Sequence, residues 1–225
     1  MITLEERQQR LKTVGASEVY KIFNFDTEQA QNLWELKMGL TDYQELDNDS
    51  ITAGNILEED CLNYYAKENE TELVCNERVE HKNVKGLVVS LDAREKDTSV
   101  PIENKVINET TWNSWKVTRG GNAKYRDELI SIPKSYYLQL QTQIEVLGTE
   151  KGVFNINTLT DEEVDNPLNV VITDLHNKQI PIERNGETIK EILKRNEYML
   201  WCIEHKTRPS EVEYLEKKVF GRSED

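Results

Sequence analysis

No apolar run in the sequence approaches the roughly 20 residues that a membrane-spanning helix needs. The N-terminus, MITLEERQQRLK, is charged and holds no apolar signal-peptide core. Both absences predict a cytoplasmic protein with no membrane partner. Cysteine is scarce. Cys61, Cys75 and Cys202 are scattered, odd in number and without metal-ligand spacing. They fit free buried thiols in a reducing compartment and cannot supply a four-cysteine iron–sulfur cluster. His81, His176 and His205 show no ligand spacing either. With only 10 Gly and 5 Pro, no internal repeat and no low-complexity linker, the chain reads as one domain over residues 1–225.

Positive charge is also in deficit. Lys plus Arg number 28 against 42 Asp plus Glu, a net charge of −14. Such a chain should not cling to DNA through bulk charge, which argues against a basic-patch binder. A local grip on nucleic acid, at a site that must itself be acidic to hold metal, is still open. Hydrophobic residues make up only 37%, yet four Trp and nine Tyr supply bulk for a core.

Thr3 with Glu6 is a capping-box pattern, and Leu4 and Leu11 share a face, predicting a helix from about Thr3 to Lys12. Gly15 opens a short helix, Ala16 to Phe23. Thr27 caps another through Leu33, Trp34 and Leu36, which stops at Gly39. After a polar loop at 40–50, apolar spacing from Ile51 to Tyr65 predicts a helix to about Lys67, with Glu58 and Glu59 in its middle. Strands follow at Glu72 to Val79, Gly86 to Ala93 and Val100 to Ile107. Trp112 and Trp115 precede KVTRGGNAKYRDE, a basic loop broken by Gly120 and Gly121. Pro133 opens a helix that Gly148 closes. Gly152 to Leu159 and Leu168 to Leu175 read as strands, Asn185 to Lys206 as a long helix, and a short acidic helix ends the chain. This order predicts an α/β fold with a mixed central sheet covered by helices.

The chemistry concentrates at Asp92 and, after ten intervening residues, Glu103-Asn104-Lys105. Glu103 and Lys105 are two apart on a predicted strand and share a face. If that strand pairs with the one ending at Asp92, two carboxylates converge on one divalent cation with a lysine beside them. Mg²⁺ takes hard oxygen ligands, and one or two carboxylates suffice. The ion acidifies a bound water and screens phosphate, and the lysine holds or deprotonates that water or stabilises developing charge. Carboxylate, carboxylate and lysine make a minimal phosphodiester-hydrolysis set. In a chain this charged the match could also be an ordinary solvated strand face. Gly54 and Glu58, about one helical turn apart, would let the backbone pack closely while the acid faces inward. One of Glu58 and Glu59 must be a surface acid.

Six motifs occur in one order: Arg10-Leu11, Val14-Gly15-Ala16-Ser17-Glu18-Val19, Gly54-x-x-x-Glu58, Ser90-Leu91-Asp92, Glu103-x-Lys105 and Tyr136-x-x-Gln139-x-Gln141. In this the chain resembles the phage lambda exonuclease, or YqaJ-type viral recombinase, branch of the PD-(D/E)xK nucleases, over about Arg10 to Gly148. The resemblance implies a restriction-endonuclease-like PD-(D/E)xK core, a mixed sheet flanked by helices. It implies Mg²⁺-dependent 5′-to-3′ digestion of linear duplex DNA that leaves a 3′ single-stranded tail. It also implies a ring-shaped homotrimer working with a single-strand annealing protein.

On the matching positions, Asp92, Glu103 and Glu58 become the metal-binding acids, with Asn104 contributing its main-chain carbonyl. Two Mg²⁺ ions are expected with substrate, Mn²⁺ being a substitute. Lys105 becomes the catalytic lysine, and Gln139 orients the lysine, the water or a phosphate. Arg10 and Ser17 receive a 5′-phosphate, as a guanidinium and a hydroxyl near a helix start can. Away from the family, Arg10 would read as a surface helix residue and Ser17 as an N-cap. Lys116, Arg119, Lys124 and Arg126 are the proposed DNA contacts, and Trp112 or Trp115 could wedge at a fork or pack in the core. Two positions depart from the family. Asn104 stands where an apolar residue is usual, so its side chain needs a partner or a surface. Val106-Ile107-Asn108 replaces the common Cys-Pro, leaving Thr110 and Thr111 as candidates for the next phosphate contact. A PD-(D/E)xK endonuclease and a non-catalytic DNA-end-binding protein are the competing readings.

Overall fold

The structure is a computed structural model that describes residues 9–42 and 49–220, with side chains from 9–42 and 51–216. Most of the predicted N-terminal helix, and most of the loop at 40–50, lie outside the described residues; residues 9–11 are helical. Strand β1 (Val14–Gly15) leads into a 3-10 helix, Ala16–Phe23, that buries Ala16, Val19 and Ile22. Thr27 accepts the Ala30 N–H and starts α1 (Glu28–Lys37), the cap its position predicts. Helix α2 (Asp49–Glu68) precedes three strands, β2 (Leu73–Glu80), β3 (Leu87–Glu95) and β4 (Pro101–Asn108). The chain continues through α3 (Glu109–Trp115), β5 (Lys116–Val117), β6 (Ala123–Tyr125) and β7 (Glu128–Ile130). Helix α4 (Lys134–Leu147) ends at Gly148 in the left-handed conformation, φ 69°, where glycine carries no Cβ penalty. Then come β8 (Lys151–Leu159), α5 (Asp161–Asp165), β9 (Asn177–Glu183), α6 (Gly186–Glu204) and α7 (Glu211–Phe220).

Six strands form one mixed sheet flanked by helices. β2 runs antiparallel along β3, while the other edge of β3 takes β1 in parallel at its start and β4 antiparallel at its end. The β3–β4 ladder holds only Ala93 opposite Ile102 and Arg94 opposite Pro101. β4 then pairs in parallel with β8 from Ile102–Val153 to Asn108–Leu159, and β8 pairs antiparallel with β9. Because β8 is buried on both faces, its two sets of alternating side chains enter different cores. Phe154 and Ile156 pack with Leu140 and Ile144 of α4, and Val153 packs with Leu62 and Tyr65 of α2. α4 lies so close to β8 that a Cβ on Gly152 would come within 2.7 Å of Leu140 Cδ1.

Three expectations are corrected. The basic stretch after Trp115 is a small three-stranded antiparallel sheet, β5-β7-β6. Leu168 to Leu175 is no strand: it holds a 3-10 turn, Pro167–Asn169, and exposes Leu168, Val171 and Leu175. The sheet instead takes Asn177–Glu183, where Ile180 and Ile182 alternate inward, so period two outweighed a continuous apolar run. Cys75 is exposed on β2, whereas Cys61 and Cys202 are buried as expected.

Candidate active site

Where the β3–β4 ladder stops, the strands part, and the acids stand at the parting. The Asn104 N–H donates to Asp92 Oδ2 at 2.8 Å, across the gap the ladder leaves. Glu103, on the face of β4 toward α4, is fully buried. Its Oε1 accepts from Gln139 Nε2 at 2.6 Å and from Lys105 Nζ, and its Oε2 accepts from Gln143 Nε2. Gln139 and Gln143 are one helical turn apart on α4, so one helix face clasps both oxygens of one carboxylate. Lys105 Nζ also sits 5.3 Å from the Tyr136 ring centroid.

Asp92, Lys105 and Glu58 open onto one cleft of about 760 Å³, which Gly54, Asn55, Asn108 and Thr111 also line. Glu58 is half-buried toward it and Glu59 is exposed, which resolves the pair. Gly54 does not serve close packing: a Cβ there would meet Val106 at an ordinary 3.9 Å. Thr111 faces the cleft; Thr110 is exposed and outside its lining.

Three carboxyl groups, Glu58 and Asp92 in the cleft and the buried Glu103 behind it, stand around one ammonium, Lys105. Burial, then the Glu103 charge, pushes Asp92 up to about 8, with Lys105 and the Asn104 N–H opposing. Burial also raises Glu58; Glu103 adds to the rise and Lys105 opposes it. Burial works against the Lys105 ammonium, but Glu103 and Asp92 outweigh it and hold its pKa above the ordinary lysine value. Among the described residues no group of three His, Cys, Asp or Glu side chains stands close enough to enclose a metal ion unaided. The donor set nevertheless fits a hard divalent cation: its ligands are carboxyl oxygens, and a cation there would offset the burial and mutual repulsion that raise Asp92 and Glu58.

Arg10, in the helical turn before β1, stands at a second pocket that reaches the same strand as Asp92. A pocket of about 50 Å³ is lined by Arg10, Arg78, Lys37, Glu18 and, from β3, Ser90. Ser90 is two residues before Asp92 and on the same face of β3. Lys37 Nζ donates to Glu18 at 2.7 Å and to the Arg10 carbonyl at 2.8 Å. Burial lowers the Lys37 pKa against the pull of Glu18. Ser17 is exposed and does not line this pocket, and the residue before the 3-10 helix is Gly15, so Ser17 is no N-cap either.

Lys116, Arg119, Lys124 and Arg126 are exposed on or beside the small sheet; Lys116 pairs with Glu128 at 3.1 Å and Arg126 covers Tyr125. Trp112 and Trp115 are both buried in the core beneath that sheet, so neither stands free as a wedge.

Gln143, Ser90 as a pocket residue, and Asn155, Asn157 and Asn177 emerge only from the structure. Gln143 carried a faint signal, lying four residues after Gln139. The asparagines carried none, because only strand register shows what they face.

The sequence matches the YqaJ-like viral recombinase domain over residues 7–151. The chain therefore belongs to the YqaJ-like viral recombinase domain family. Its fold is that of an alkaline exonuclease (LHK-Exo) from Laribacter hongkongensis, with TM-score 0.66, 24% identity, and coverage of 97% of this chain and 99% of that one. The same enzyme in complex with dAMP superposes with TM-score 0.65 at 23% identity, covering 97% and 99% of the two chains. A phage-related exonuclease from Haemophilus somnus 129PT matches with TM-score 0.59 and 16% identity, covering 87% of this chain and 96% of that one. No curated protein matches the sequence.

Proposed function

We propose that this protein is a metal-dependent exonuclease that digests one strand of linear duplex DNA from the 5′ end and leaves a 3′ single-stranded tail for recombination by strand annealing. The observation that carries the reading is the opening of Glu58, Asp92 and Lys105 on one cleft, with Glu103 clasped behind Lys105. Family membership and the fold shared with two exonucleases support it.

Asp92, Glu103, Glu58 and the Asn104 carbonyl would hold Mg²⁺, two ions with substrate or Mn²⁺ in their place. When bound, such ions acidify water and neutralise phosphate charge. Lys105, kept charged by its two carboxylate neighbours, offers an ammonium to the charge that develops on the phosphoryl oxygens. Gln139 and Gln143 hold Glu103 in place, so the acid does not reorganise as charge moves. The pocket of Arg10, Arg78 and Ser90 would receive the terminal 5′-phosphate and set polarity. A homotrimeric ring and an annealing-protein partner complete the proposal.

The test compares linear duplexes bearing 5′-phosphate or 5′-hydroxyl ends with a closed plasmid, in Mg²⁺. Wild type should digest only linear DNA and prefer the 5′-phosphate. Asp92→Ala should be inactive, and Arg10→Ala should lose the end preference. Cleavage of the closed circle would favour an endonuclease. DNA-end binding without turnover would favour a non-catalytic protein.

A further inference from the structure

Asn104 explains its own departure from the family, because its carboxamide belongs to a buried layer of amides. Its Oδ1 accepts from Asn155 Nδ2 at 2.9 Å and from Asn157 Nδ2 at 3.0 Å. Asn177 Nδ2, on β9, donates to Asn155 Oδ1 at 2.7 Å and to Asn157 Oδ1 at 2.9 Å. Gln179 closes the outer end by donating to Asn177 Oδ1 at 3.2 Å. Asn155 also donates to the Cys61 carbonyl of α2 at 3.2 Å. All four asparagines are buried, and each polar side-chain atom of theirs that is shut off from solvent has a partner. The strand register makes the layer: Asn104 lies opposite Asn155, and Asn157 opposite Asn177.

Such a layer is not needed for stability, since apolar residues fill a sheet–helix interface at least as well. A fully satisfied buried polar network does specify one arrangement, because sliding it by a residue orphans its amides. The site has special need of that. Past Ile102, β4 has no ladder to β3, and Glu103, Asn104 and Lys105 are fixed by β8. The Asn104 peptide meanwhile faces Asp92 through its N–H.

Resting on the metal-dependent reading above, we infer that Asn155 and Asn157 are positioning residues. Through the Asn104 carboxamide they hold the Asn104 peptide and its two flanking catalytic side chains at the height on β4 where Asp92 and Glu103 share a divalent cation. Neither asparagine lines the cleft or touches the acids.

The experiment uses the full chain and the triple substitution Asn104→Val, Asn155→Val, Asn157→Val, which replaces the layer by the apolar kind. Mn²⁺ binding by isothermal titration calorimetry without DNA is read beside kcat and KM on a 5′-phosphorylated linear duplex. The triple variant should fold with Tm within a few degrees of wild type. Its Mn²⁺ affinity should fall at least fivefold and its kcat at least tenfold, with KM nearly unchanged. A folded triple variant with Mn²⁺ affinity and kcat within twofold of wild type overturns the inference. If the triple variant does not fold, Asn177→Thr decides, since it frees the asparagine oxygens without touching β4. It should weaken Mn²⁺ binding about threefold, and an unchanged affinity overturns the inference. A wild type that binds Mn²⁺ but cleaves no DNA overturns the function proposed above and leaves the calorimetric arm to judge the layer. A wild type that binds no Mn²⁺ overturns both.

Discussion

At the scale of single residues, the site is a problem of charge. Asp92 and Glu103 are held near each other with Lys105 as the nearest counter-charge, and Asp92 is pushed up to about 8, first by burial and then by Glu103. The unfolded chain ionises Asp92 near its ordinary 3.8, while the metal-free folded chain keeps the proton until about 8. The native-state preference for the protonated acid is therefore fully present below 3.8 and lost as pH rises through about 8. In EDTA, thermal unfolding should show Tm falling from pH 6 to pH 9. Added Mg²⁺ should raise Tm more at pH 9 than at pH 6, because its ligands must be ionised. A Mg²⁺ effect independent of pH would count against Asp92 as a ligand. Lys105→Ala should cut kcat by about 10²–10⁴ while leaving the fold intact by circular dichroism. Gln143→Leu leaves a buried carboxylate oxygen of Glu103 short of a donor and should cost about 1–3 kcal/mol in urea unfolding.

Among the elements, α6 and α7 show how the core on the α4 side of the sheet is closed. Arg195 is buried on α6, donates to Glu211 of α7 at 2.7 and 2.9 Å, to Glu191 at 2.7 Å and to the Ile22 carbonyl at 3.1 Å. Its guanidinium also lies 4.4 Å from the Tyr214 ring centroid. Removing it takes the counter-charge from two carboxylates, which keep the Phe25 N–H and the Tyr214 hydroxyl as donors, and a donor from the Ile22 carbonyl. Arg195→Ala should lower stability by about 3 kcal/mol, at the low end for a broken buried pair because both glutamates keep some water. Hydrogen exchange should show α7 losing protection first. Uniform exchange across the fold would show that α7 is held by its apolar face instead. Most of these elements were legible in the sequence, because Thr27, Gly148 and Asn185 are strong terminus signals and the apolar period in α2 and α6 is unbroken. The small sheet after Trp115 was not. Its strands are two or three residues long, too short for a period to show, and it exists because Ile130 packs on the Trp112 and Trp115 core.

For the whole molecule, the net charge of −14 bears on the proposed function, because it would limit where a duplex could approach. Acidic segments such as α5, Asp161–Asp165, would repel a duplex from the exterior, while the exposed Lys116, Arg119, Lys124 and Arg126 are grouped at 116–126. Reversing Lys124 and Arg126 to Glu should weaken binding of linear duplex at least tenfold and reduce the slope of log affinity against log salt by about two. Tm should not change, since both side chains are exposed. An unchanged salt slope would move the DNA track elsewhere. Among the described residues no helix is long and apolar enough to cross a membrane.

By itself the sequence carried the family match, and it determined the helices with clear caps and the strands that hold Asp92 and Glu103. Those depend on local spacing, and spacing is what a sequence records. Tertiary structure alone decided the rest. It turned Glu58 rather than Glu59 to the cleft, left Ser17 outside the pocket that holds Arg10, and brought Gln143 to the second oxygen of Glu103. It also converted the odd Asn104 into part of an amide layer whose other members lie more than fifty residues away. Each of these depends on which strand lies beside which, and in what register. Non-local pairing sets that register, and no single segment contains it.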